Sequence, residues 1–256
     1  MFVAGCDDVT VVNPDLNYKE YVVVRAELVA GQDFDGVKFS RTEPLGQQYD
    51  STITAITSGV TAYLKVGGTQ VIPLHHIGNG VYKASDRISI QAGTQYELFA
   101  EVNGVGIYSK TTVPNTPRVA SAFVEKDTIF QANVYTNPGE VYGAAWEIYN
   151  NGTVIDGAPD FGEIVHNDNQ FSTSTIPVNT MALREQYRSS NYSNLWYVRV
   201  YAYDSAYLMF FTTRNNNQPV SDVYSQGGDQ IVWNVYGTNV IGLFMGVAKS
   251  NYIKVQ

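Results

Sequence analysis

Cysteine is almost missing from this 256-residue chain: Cys6 stands alone, so no intramolecular disulfide and no paired-cysteine zinc or redox motif can form. The fold must therefore rest on its core, and a chain of this length can bury one in one or two domains. Histidine is scarce too, limited to His75, His76 and His166. No Gly-x-Ser-x-Gly elbow accompanies them, which argues against a Ser/His/Asp hydrolase. Charged residues are only 16% of the chain, with a net charge of −8. That acidic balance, without clustered Lys or Arg, argues against a nucleic-acid partner or a polybasic membrane patch. No apolar run approaches the ~18 residues of a membrane-spanning helix.

Aromatic residues, by contrast, are abundant: 19 Tyr and 11 Phe, alongside many Thr, Val and Asn. Such residues suit a pleated, half-buried surface. Period-two alternation places Val60, Ala62, Leu64 and Val66 on one face, and likewise Tyr96, Leu98, Ala100 and Val102, the pattern of antiparallel sheet with one wet side. Further strands are expected at Tyr21 to Leu28, Val37 to Thr42, Gly80 to Ala84 and Ile107 to Val113. Their regular spacing between glycine turns points to a sandwich or barrel. Pro114 and Pro117 then interrupt the ladder, and a domain boundary is placed there, with a second β-rich unit over 118–256. In that unit the expected strands are Ile129 to Tyr135, Tyr142 to Tyr149, Phe171 to Ile176, Trp196 to Tyr203, Leu208 to Thr213 and Val240 to Val247. One helix is drawn, over Met181 to Tyr187, behind a capping Asn179 or Thr180. The fold class is all-β with one short helix.

The residues around Cys6 carry a different signal. Val3-Ala4-Gly5-Cys6 resembles a bacterial lipobox, in which the cysteine becomes a lipidated N-terminus, and residues 1–17 then read as lipobox and tether. Only Met1 to Gly5 precede the cysteine, less than the basic and apolar stretch of an export signal, so the full signal is expected to begin upstream. The order of later features also resembles the DUF4249 family of Bacteroidota lipoproteins. Matching segments are Tyr21 to Glu27, Val37-Lys38-Phe39-Ser40-Arg41-Thr42, Gly80-Val81-Tyr82, Gly93-Thr94-Gln95-Tyr96-Glu97-Leu98 and, more loosely, Gly242-Leu243-Phe244-Met245-Gly246. The resemblance implies an immunoglobulin-like β-sandwich over 18–114, followed by a second antiparallel sandwich or barrel-like module over 118–256. It also implies an outer-membrane lipoprotein, on the cell surface or the periplasmic face, working beside a TonB-dependent receptor. Asp7-Asp8 after the cysteine resembles a surface-export signal.

No motif on the chain supplies chemistry. His75 and His76 are neighbours on one expected strand and face opposite ways, one packed and one solvated, so they cannot easily share a metal. Asp33 and Asp35 lack the further oxygen ligands of a calcium loop. Asp156, Asp160 and Glu163 form either an acidic surface loop or the carboxylates of a glycosidase. Gly104-Val105-Gly106 reads as a hairpin turn, and Gly227-Gly228-Asp229 lacks the Lys-Ser/Thr of a phosphate loop. No cofactor, no metal and no catalytic residue is expected. The strand Trp196 to Tyr203 is the candidate recognition element: with Trp196, Val198, Val200 and Ala202 inward, Tyr197, Arg199, Tyr201 and Tyr203 form a row on the other face. Tyr and Arg are enriched at interfaces, and Tyr207 and Phe210 could extend the row. The alternative is that a sheet or the Met181 helix covers that face and makes it core. The expected function is a lipid-anchored binding protein; a carbohydrate- or peptide-active enzyme and an adhesive surface protein are the rivals.

Overall fold

Apolar alternation becomes strand along most of the chain. A computed structural model describes residues 18–44, 50–126, 128–166, 174–214 and 231–256. Cys6 with its lipobox and Gly227-Gly228-Asp229 lie outside the described residues. The first half holds β1 (Val22–Val29), β2 (Val37–Arg41), β3 (Val60–Val66), β4 (Gln70–Gly78), β5 (Val81–Lys83), β6 (Gln95–Val102) and β7 (Val105–Thr112). After the proline stretch come β8 (Arg118–Lys126), β9 (Ile129–Tyr135), β10 (Glu140–Asn150), β11 (Thr153–Gly157), β12 (Val165–His166), β13 (Thr175–Asn179) and β14 (Trp196–Asp204). The helix α1 (Ala206–Arg214) follows, then β15 (Val235–Tyr236), β16 (Val240–Lys249) and β17 (Ile253–Lys254).

The protein is all-β, and its sheets do not close into a barrel. One hydrogen-bonded path runs β11-β10-β14-β16-β1-β2-β5-β4-β3-β6-β7-β15, and a separate sheet is ordered β13-β9-β8. An immunoglobulin-like sandwich is compatible with the first half. Its core gathers Val24, Leu28, Phe39, Leu64 and Leu98, and it draws in Val235, Val240 and Phe244 from beyond residue 230. A second core surrounds Trp146, with Phe130, Val178, Val198 and Val200. The segment after Pro117 therefore contributes strands to both.

The joint between the cores is β16, which pairs parallel with β1 and antiparallel with β14. Gly242 makes the close parallel approach possible: its φ is +139°, and a side chain there would overlap the carbonyl oxygen of Val24. Opposite it in sequence, the buried Asn234 acts as a substitute backbone. Its amide donates to the Phe244 carbonyl at 2.6 Å and its Oδ1 accepts the Phe244 N–H at 2.9 Å.

The helix lies elsewhere than the sequence suggests. Met181 to Tyr187 holds only a 3-10 turn at Glu185–Tyr187. Tertiary bonds hold the start of the segment outside helical geometry: the Leu183 N–H donates to Thr128 and the Ala182 carbonyl accepts the Trp146 indole. The expected strand Leu208 to Thr213 is instead part of α1. Asp204 Oδ1 takes the Ala206 N–H at 3.0 Å at its start, satisfying one of the orphan donors of a helix N-terminus. His75 and His76 are both exposed, where β4 leaves its pairing with β3 at Leu74 and pairs with β5 from His75; the expectation of one packed histidine is corrected.

Candidate functional site

The paired strands at the joint are two-sided. Val22, Val24, Ala26 and Leu28 face the first core, so Val23, Arg25, Glu27 and Val29 face away from it, beside Ile241, Leu243 and Met245 of β16. This outward face is the floor of a cleft of about 960 Å³, at the upper end of the size range of small-molecule sites. Lys38 and Ser40 of β2 extend the floor. Tyr203, Tyr207, Phe210 and Trp233 wall one side.

The wall is built by α1. Tyr207, Phe210 and Phe211 recur at three- and four-residue spacing, which puts them on one helix side, packed with Val141 and Met245. Tyr203 and Tyr207 stack with ring centres 4.1 Å apart, and Phe210 lies 5.3 Å from Trp233. Phe161 packs against Tyr201 at 5.2 Å. Its ring fits because its neighbour on β10 is Gly143, where any side chain would collide with it. At the base of α1, Arg214 lies 4.4 Å over Phe211 and pairs with Asp160.

The expected row on β14 does share one face, but the structure divides it between two surroundings. Tyr203 lines the cleft. Tyr201 lies just beyond it, under Lys249, whose ammonium is 5.6 Å from the ring and 3.7 Å from Glu27. Arg199 points toward Tyr252, donating to its hydroxyl at 3.0 Å and to the Ser250 carbonyl at 3.2 Å. Tyr197 packs against Tyr149. All four are half-buried. Beneath them Glu147 is 8% exposed. Burial pushes its carboxyl up, against the pull of Arg199, Tyr201 and Lys249, and its Oε2 has no hydrogen-bond partner. Burial also raises Tyr203, and it pushes Tyr201 and Tyr207 up to about 12. These hydroxyls stay protonated at any physiological pH.

Other acidic and basic candidates are not brought together. Asp156 pairs with Arg184, Asp160 with Arg214, and Glu163 accepts the Asn179 N–H at 2.7 Å. Asp33 pairs with Arg87 and Asp35 with Lys83. Among the described residues no group of three or more His, Cys, Asp and Glu is placed to hold a metal ion. Sequence reading missed Arg25, Lys38 and Trp233. For the first two a signal existed: the alternation of β1 and β2 assigns them to the face opposite Val24 and Phe39.

A family model spans residues 9–253 of the chain, nearly all of it, under the description "Domain of unknown function (DUF4249)". The chain belongs to the DUF4249 family. No functionally curated protein matches it. For this DUF4249 chain the parallel β1–β16 pair and the cleft upon it fall wholly within the matched span.

Proposed function

We propose that this protein is a cell-envelope binding protein, anchored by lipid on Cys6 at the outer membrane and accessory to a TonB-dependent uptake system. Its ligand sits in the cleft on β1, β2 and β16 and is held without covalent chemistry. The observation that carries this reading is the aromatic wall of Tyr203, Tyr207, Phe210 and Trp233 over a floor that includes Val23, Ile241 and Leu243. Large rigid rings give contact area at little conformational cost and dominate binding energetics. Val3-Ala4-Gly5-Cys6 supports the anchor.

Capture of the full chain from native membranes, with Cys6→Ser as comparison, tests the proposal. The expected result is a membrane-bound wild type that brings down a TonB-dependent receptor in stoichiometric amount, and a Cys6→Ser chain released from the membrane. A wild type recovered alone overturns the partnership, and a Cys6→Ser chain that stays membrane-bound overturns the lipid anchor.

A further inference from the structure

Four cations among the described residues line the cleft, and they are not equivalent. Arg41 is paired with Glu20 and Lys249 with Glu27. Arg25 and Lys38 have no ion-pair or hydrogen-bond partner among the described residues. They are also direct cross-strand partners in the β1–β2 ladder, so their side chains leave the same face side by side. Like charges directly opposed on a sheet destabilise it, and this protein, at −8 overall, has many carboxylates that could have neutralised the pair. Asp35 is occupied by Lys83. Glu43 also lines the cleft, forms no ion pair with either among the described residues, and keeps its Oε2 buried without a hydrogen-bond partner. The floor thus keeps two neighbouring cations, without ion pairs among the described residues, in the same cleft as an aromatic wall.

Resting on the reading of the cleft as a binding site, we infer that its ligand is an amphipathic organic anion whose acid group is held between Arg25 and Lys38 while its apolar or aromatic body lies against Tyr207, Phe210 and Trp233. Arg25 supplies a planar fork matched to two oxygens, and Lys38 a point charge beside it. The apolar part displaces water from the wall, which strengthens the attraction at the charged end.

Two dyes that differ only in a sulfonate separate this inference from the reading it rests on. The full chain is titrated with 1-anilinonaphthalene-8-sulfonate and with neutral N-phenyl-1-naphthylamine, following dye emission. The anion is expected to bind about tenfold tighter than the neutral dye, the worth of one good charged contact. Arg25→Gln with Lys38→Gln is expected to remove that advantage and leave the neutral dye unaffected. Phe210→Ala weakens both dyes, placing them in the cleft, and near-ultraviolet circular dichroism checks that each variant is folded. Dodecanoate is expected to displace the anionic dye, whereas inorganic phosphate at the same ionic strength is not. Equal affinity for the two dyes, or an anionic advantage that survives the double substitution, overturns the anion inference while leaving an apolar cleft. Displacement by inorganic phosphate overturns the amphipathic requirement. Binding of neither dye overturns the inference, and the capture experiment still decides the binding role by itself.

Discussion

Glu147 ties its protonation to folding. Its carboxyl titrates above the ordinary glutamate value because burial disfavours the charge more than Arg199, Tyr201 and Lys249 favour it. The folded chain therefore holds this proton more tightly than the unfolded chain does. The resulting stability is fully present below the unfolded glutamate pKa and is lost as pH rises through the raised folded value. Melting temperatures measured between about pH 4 and 7 are expected to carry this decline, and Glu147→Gln, which mimics the protonated form, is expected to flatten it. A variant with the same slope as the wild type would assign the decline to other groups. Nothing in the sequence marks this glutamate as buried: Tyr142 to Tyr149 reads as a strand with Glu147 as its one acid, but the surroundings of that acid depend on Tyr201 and Lys249, which arrive from strands far along the chain.

At the level of elements, the strands that alternate strictly were the legible ones. β6 and β9 begin and end where the apolar pattern says they should, since one buried face fixes both register and extent. The run from Leu208 to Thr213 misled because aromatic and β-branched residues favour strands, and a short apolar run fits either period. What decided for helix was the side chain of Asp204 and the cluster formed by Tyr207, Phe211 and Met245. Beside β16 the illegible device was Asn234, a polar residue in an apolar neighbourhood whose use appears only when Phe244 lies beside it. Asn234→Ala leaves two buried backbone groups unpaired, at about 1–3 kcal/mol each. Urea unfolding is expected to show a midpoint well below the wild type with an unchanged slope; an unshifted midpoint would mean that water replaces both bonds.

For the whole molecule, the proline stretch after β7 was visible in the sequence, but the return of β15 and β16 to the first core was not. That pairing is non-local, and Val235, Val240 and Phe244 look like any other buried run until β1 is placed beside them. The cleft was legible only in part for the same reason: Tyr203 was singled out, whereas Arg25 and Lys38 become a pair only through the β1–β2 register. A chain cut after Pro117 loses three core residues and the neighbour of β1. It is expected to melt without a cooperative transition in calorimetry, while the full chain melts sharply; a sharp transition in the fragment would mean that the first sandwich closes alone. The alignment of Val22 with Val240 also has a temporal side. Synthesis proceeds from the N-terminus, so β1 waits for its partner until Val240 to Lys249 have been made, and long-range pairings of this kind form slowly.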